Sequence, residues 1–289
     1  MRGPGRPPGF AGRRGPDLTT GPIGKTLILF ALPVMGSNIL QSLNGSANAI
    51  WVSHVLGEAA LTAISNSNQI FFLMLGAMFG MSMAANIMIG QAVGADDRPL
   101  ATRVVGTATV FFIAISCVIG VLGYTLTPAI LTGMATPPDA KRDAIAYLRV
   151  IFAVIPIIYF FTFMMMAQRG AGDSRTPFYF SLVAVGLEVT LNPLLIMGIG
   201  PLPRLEIVGS ATATLIAQSS TLTAMLIYLY RKKSLLVLTP AEWRQFRPDF
   251  EVIRSLVFKG LPMAFQMIVR SGINSRHSAG RITSRLPCR

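Results

Sequence analysis

Few residues in this sequence have the types and spacing for chemistry, and Glu188 stands apart among them. It is the one acid in the apolar run 177–199, and Asn192 and Pro193 follow it by four and five residues. Four residues make about one helical turn, so Glu188 and Asn192 share a face. A carboxyl deep in hydrocarbon favours its neutral form unless water or a cation stabilises the charge. Such a group can exchange a proton or bind a cation as access alternates between the two sides, or it can stay neutral and bond a neighbouring helix. Pro193 removes a backbone donor, can bend its helix and would free a carbonyl close to the acid, which makes it a candidate kink.

Uncharged polar residues form stripes elsewhere. Asn38, Gln41, Gly45 and Asn48 recur at spacings of three and four, which predicts one helical face. Thr62, Asn66 and Gln69 repeat the pattern, as do Ser210, Thr214, Gln218 and Thr221. A single Ser or Thr in such a stripe reads as interhelical hydrogen bonding. Several carboxamides along one face point equally to a lined cavity, so Asn38, Gln41, Asn66, Gln69 and Gln218 are the candidate substrate-cavity residues. Pro33 is a second candidate kink, near the start of its helix, and Gly76 and Gly80 permit close helix approach.

The elements that must carry these residues are membrane spans. Apolar residues make up 52% of the 289, and most of the charges fall in the connectors between long uncharged runs. No Asp, Glu, Lys or Arg falls between Lys25 and Glu58 or between Glu58 and Asp96, and further uncharged runs cover 104–138, 150–168, 176–187 and 207–230. A helix needs about 20 mostly apolar residues to cross the hydrocarbon, whereas a soluble helix interrupts them with charge on its wet face. The fold class is therefore all-α and polytopic. Six spans are expected at 26–52, 66–91, 104–126, 146–168, 177–199 and 207–230. A seventh run, 255–269, is interrupted by Lys259 and is too short to cross.

Lys and Arg set the orientation. One side holds Arg2, Arg6, Arg13, Arg14, Lys25, Arg98, Arg103, Arg169, Arg175 and the group from Arg231 to Arg254; the other holds Lys141, Arg142, Arg149 and Arg204. The basic side is cytoplasmic, with the N-terminus inside a cell membrane. The net charge of +13 thus reflects topology, and no nucleic-acid partner is expected. Residues 1–22 read as a disordered basic extension, 23–230 as a six-helix lobe, 231–254 as a cytosolic linker, 255–269 as an incomplete seventh helix and 270–289 as an aberrant basic tail that does not continue it. Cys117, Cys288, His54 and His277 offer neither a disulfide framework nor metal spacing, so no metal or cofactor is expected.

Leu261-Pro262-Met263 opens the seventh run much as Leu32-Pro33-Val34-Met35 opens the first. Two like halves are a common transporter plan, and here the second half would begin near residue 250 and break off, which reads as truncation.

Ordered fragments carry a family resemblance across about residues 20–270: Leu32-Pro33 through Gln41-Ser42, Ala49-Ile50-Trp51-Val52, 90–96 (GQAVGAD), 169–177 (RGAGDSRTP), Leu191-Asn192-Pro193-Leu194, 209–214 (GSATAT) and Gly260-Leu261-Pro262. The sequence resembles the MATE family of multidrug and toxic-compound exporters. The resemblance implies two six-helix lobes around a cavity that opens alternately to each side, with H+ or Na+ entry driving export of small cationic or amphipathic compounds. This chain would supply one lobe, and its missing partner is the second lobe of the same transporter. Many members carry an acid at the positions matching Asn48 and Asn192. An amide cannot release a proton, so the resemblance makes Asn48, Glu188 and Asn192 the candidate cation-coupling set, with Glu188 standing in for the usual acid or coupling resting on the second lobe.

Two other readings compete. A lipid-linked saccharide flippase should hold an anionic head group with Lys or Arg in its cavity, yet no basic residue lies between Thr26 and Asp97 or deep in the fifth and sixth spans. A non-transporting membrane subunit has no feature pointing to it. An intramembrane enzyme would need a nucleophile with its base or a metal-ligand set, and the spans offer neither.

Overall fold

A computed structural model describes residues 23–133, 138–198, 206–232 and 249–283, with the side chains of 52–73, 138–143 and 267–283 among those outside the description. The N-terminal extension, most of the 231–254 linker and the last six residues therefore lie outside the described residues. The described residues form helices only: α1 (Ile23–Gly94), α2 (Arg98–Gly133), α3 (Pro138–Gly170), α4 (Arg175–Met197), α5 (Glu206–Arg231) and α6 (Phe250–Thr283). Six stretches are long and apolar enough to cross a membrane: Gly24–Asn48 and Met74–Gly94 in α1, then Pro99–Thr132, Ala144–Gly170, Arg175–Met197 and Val208–Arg231. These match the six spans expected from the sequence.

Two expectations change. The sequence predicts a connector between the first and second spans, and the backbone is helical over the whole of Ile23–Gly94, so the reversal between the spans comes without a non-helical connector. The connecting stretch 52–65 has no proline and one glycine, Gly57, and is rich in Ala and Leu, so nothing in it opposes helix. The contacts nonetheless give the two apolar stretches opposite directions. A Cβ on Gly36 would meet the Phe178 ring, and one on Gly90 would meet the Gly170 carbonyl, just across the α3–α4 turn. Both the early part of one stretch and the late part of the other thus sit at the same end of the bundle. The second correction concerns α6, which runs through Arg270 to Thr283 instead of ending with its apolar run. Residues 270–283 contain no proline, so the backbone hydrogen-bond pattern can continue through them although Gly272, Gly280 and three Ser are weak helix formers.

The α3 helix is the central pillar, two-thirds buried along its span, while the Gly24–Asn48 stretch of α1 has only 6% of its span buried. Phe152, Tyr159 and Phe163 of α3 are fully buried. Phe163 stacks on Phe112 of α2 with ring centroids 4.7 Å apart. Gly120 and Gly123 of α2 leave no room for a side chain because Phe152 fills that space. Without a hydrophobic driving force between helices in lipid, such close packing is the main cohesive term.

The turns at the basic end are tied by polar contacts. Asp97 Oδ1 accepts from the Leu100 N–H at 3.0 Å and caps α2. Between α3 and α4, Gly172 adopts φ 87°, a left-handed turn that suits glycine. Asp173 then accepts from the Thr176 N–H at 3.0 Å and the Thr176 hydroxyl at 2.7 Å. Lys232, just past α5, reaches Asp173 Oδ2 at 3.3 Å. Burial pushes the Asp173 carboxyl up, but the Thr176 bonds and the Lys232 charge outweigh it and hold the group below its ordinary value.

Candidate functional site

Three helices converge on Glu188. The first stretch of α1 runs parallel to α4, since Gly36 meets Phe178 near one end and Asn44 meets Glu188 further along. The α5 helix runs antiparallel to α4, with Gly209 against Leu195 and Thr214 against Glu188. Glu188 lies thirteen residues from Arg175 and nine from Met197. At about 1.5 Å rise per residue it is roughly 20 Å from one end of α4 and about 14 Å from the other. It is 5% exposed, so the carboxyl is sequestered near mid-span.

Both carboxylate oxygens accept from other helices. Asn44 of α1 donates Nδ2 to Oε2 at 3.0 Å, and Thr214 of α5 donates its hydroxyl to Oε1 at 2.7 Å. Among the described residues no basic side chain pairs with Glu188; the ion pairs present join Arg103 to Asp249 and Lys232 to Asp173, both at the basic end. The buried Tyr147 of α3 lies within electrostatic reach of the carboxylate. Among the described residues this buried acid is held by two neutral donors and has no permanent counter-charge.

One turn away lies a second polar layer. Ser210 of α5 donates its hydroxyl to Asn48 Oδ1 of α1 at 3.0 Å. Asn192, one turn beyond Glu188 on α4, is 1% exposed, and its buried Oδ1 has no hydrogen-bond partner among the described residues. The step between layers is four residues on each helix: Asn48 to Asn44, Asn192 to Glu188, Ser210 to Thr214. The sign on α5 is reversed because that helix is antiparallel. The acid and both of its donors are thus displaced together by one turn from the Asn48–Ser210 layer.

The structure brings Glu188, Asn192 and Asn48 into one region, as the sequence grouped them. Gln218 lies one turn past Thr214, and its buried Oε1 has no hydrogen-bond partner among the described residues. Asn38, Gln41 and Gly45 are exposed, whereas Ser37 is fully buried and Asn44 and Asn48 are half-buried. The expected single face therefore divides. Asn38 and Gly45 sit seven apart on one line, while Ser37, Asn44 and Asn48 form the line turned toward α4 and α5. Asn66 and Gln69 lie among residues whose side chains are outside the description. Pro33 and Pro193 both lie within continuous helices, and the Ser37 hydroxyl donates to the Pro33 carbonyl at 3.0 Å. Sequence reasoning missed Asn44, although its place one turn before Asn48 mirrors that of Glu188 before Asn192.

Comparison with known proteins decides the family. The MatE family model matches residues 33–194, more than half of the chain and the whole of the Glu188 helix as far as Leu194. The chain belongs to the MatE family. Among curated MatE relatives, the Bacillus subtilis protein named "Probable multidrug resistance protein YoeA" is 33% identical over 86% of this chain and 53% of its own length. A second, "Probable multidrug resistance protein YpnP" from the same organism, is 28% identical over 89% of this chain and 56% of its own length. The chain thus spans about half the length of the curated relatives it matches. Its fold is that of a MOP superfamily transporter from Pyrococcus furiosus, with a TM-score of 0.78 at 24% identity over 90% of this chain and 60% of that one. An outward-facing multidrug resistance MATE family transporter is similar, with a TM-score of 0.76 at 24% identity over 84% of this chain and 53% of that one.

Proposed function

We propose that this chain forms one lobe of a secondary antiporter that exports drugs or metabolites in exchange for H+ or Na+, with Glu188 as the coupling group. The observation that carries the reading is a carboxylate sequestered near mid-span, held by neutral donors from two other helices and without a basic partner among the described residues. Charged groups inside a bilayer are costly and mark ion pathways when they occur. The multidrug names of the relatives support small amphipathic or cationic compounds as substrates. The relatives extend well beyond the part this chain matches, which supports a second lobe that completes the cavity wall. Exposed Asn38 and Gln41 then lie where that lobe and the substrate meet α1. The ion is the only accessory the reading requires; no cofactor and no bond-breaking chemistry enters it. The basic residues at the ends of α2, α4 and α5 support an orientation with the N-terminus on the cytoplasmic side of a cell membrane.

The test joins this lobe to the second half of the 33% identical Bacillus subtilis relative and reconstitutes the protein in liposomes. A pH or sodium gradient should drive uptake of a cationic dye, and Glu188→Gln should reduce that uptake at least about tenfold. Dye uptake unchanged in Glu188→Gln would remove Glu188 from coupling.

A further inference from the structure

The donors around Glu188 hold more information than a simple cradle. Thr214 Oγ1 lies 2.7 Å from Glu188 Oε1 and 3.2 Å from the backbone carbonyl of Ser210. A hydroxyl carries one hydrogen, so it can donate to only one of these at a time. Its lone pairs remain free to accept. Asn44 Nδ2, at 3.0 Å from Oε2, has no such choice, because an amide nitrogen only donates.

We infer that Thr214 is a positioning residue for Glu188 that satisfies both of its protonation states by turning one hydroxyl. With the carboxylate ionised, Thr214 donates to Oε1 and Asn44 donates to Oε2. When a proton arrives on Oε1 from the aqueous side, the new O–H donates to Thr214 Oγ1. The Thr214 hydrogen swings to the Ser210 carbonyl. No covalent bond of Thr214 breaks, and the heavy atoms keep their places. Oε2 is then a carbonyl oxygen and still accepts from Asn44. A buried acid fixed by donors alone would leave its neutral form with an unsatisfied O–H, a substantial cost in a dry site. This geometry avoids that cost in either state and lets the proton come and go without repacking three helices.

The groups facing Glu188 from the packed helices are Asn44 and Asn48 of α1, Ser210 and Thr214 of α5, and Tyr147 of α3, the one titratable neighbour among the described residues. Tyr147 is a phenol, and an ordinary phenol is uncharged across the range of the test. The inference rests on Glu188 as an exchangeable acid but does not need transport to be measured.

The experiment titrates the whole chain in lipid nanodiscs and follows the carboxylic C=O stretch of Glu188 by infrared difference spectroscopy, assigned by its loss in Glu188→Gln. Thr214→Val keeps the shape but removes the hydroxyl, so the ionised form loses a charge-assisted donor. The protonation midpoint should rise by about one pH unit, and the C=O band should shift as the neutral acid loses its acceptor. Thr214→Ser retains the hydroxyl and should titrate like the parent chain, which separates a hydroxyl effect from damage to folding. A midpoint and band position unchanged in Thr214→Val, or moved equally in Thr214→Ser, would overturn the inference. Failure of the dye-uptake experiment with this titration intact would overturn the coupling role and leave the two-state hydroxyl standing.

Discussion

Replacing Asp173 tests how the basic end of the lobe is held, and the structure sets the magnitude. Its carboxylate accepts from the Thr176 N–H, closing the first turn of α4, and from the Thr176 hydroxyl. Loss of a helix cap costs about 1 kcal/mol. Loss of a second, partly buried hydrogen bond to a charged group adds about another 1 kcal/mol. The Lys232 partner contributes far less, because its side chain is 49% exposed and solvent screens the pair. A pair of that kind is worth at most about 0.5 kcal/mol. Asp173→Ala should therefore destabilise the chain by about 2 kcal/mol and Lys232→Ala by a quarter of that or less. Thermal unfolding in neutral detergent micelles, followed by helix content, gives the ordering. The pH dependence adds a second check. The folded carboxyl sits below its ordinary value, so its stabilisation is complete above the unfolded value of about 3.9 and fades as pH falls through the folded one. Asp173→Asn keeps an accepting oxygen for Thr176 but loses the charge. The stability gap between the parent chain and Asp173→Asn should hold steady from about pH 7 to about pH 5 and close in stronger acid. Equal losses in Asp173→Ala and Lys232→Ala would refute the reasoning, because they would make the ion pair, not the cap, the dominant contact.

Further outcomes follow from packing. A Cβ on Gly80 would lie 2.7 Å from Ala264 Cα and 2.8 Å from the Gly260 carbonyl, both backbone atoms that cannot rotate away. Gly80→Val should force α6 from α1 and cost about 1–3 kcal/mol, read as a lower thermal unfolding midpoint in detergent micelles. Gly123 faces the buried Phe152 ring, so Gly123→Leu should lower the yield of folded protein recovered by size exclusion in detergent. At the start of α6, Asp249 pairs with Arg103, and its N–H donates to the Thr107 hydroxyl at 3.4 Å. Arg103→Ala should raise amide exchange across the first turn of α6 by several-fold without altering α3.

How far the sequence could be read depends on the kind of signal. The six spans were legible because desolvating charge is so costly that the runs between charges mark the bilayer directly. Glu188 was legible for the same reason, as an acid in such a run. Asn44 was not, since a polar stripe at spacings of three and four fits two neighbouring faces of one helix, and the sequence could not choose between them. Only the packing of α1 on α4 and α5 turned Ser37, Asn44 and Asn48 inward and left Asn38 and Gly45 exposed. Gly80 was visible as a close-approach position, but its partner across α6 was not.

The sequence by itself determined that this is a six-span helical membrane lobe with a buried acid and a basic side. These properties follow from local hydropathy and charge, which act residue by residue against the lipid. Tertiary structure alone decided that the acid is served by Asn44 and Thr214, that its layer lies one turn from Asn48 and Ser210, and that α6 crosses α1 at paired glycines. Those features depend on the relative direction and register of helices far apart in the chain. A shift of one turn leaves every span's composition unchanged and replaces every contact between them.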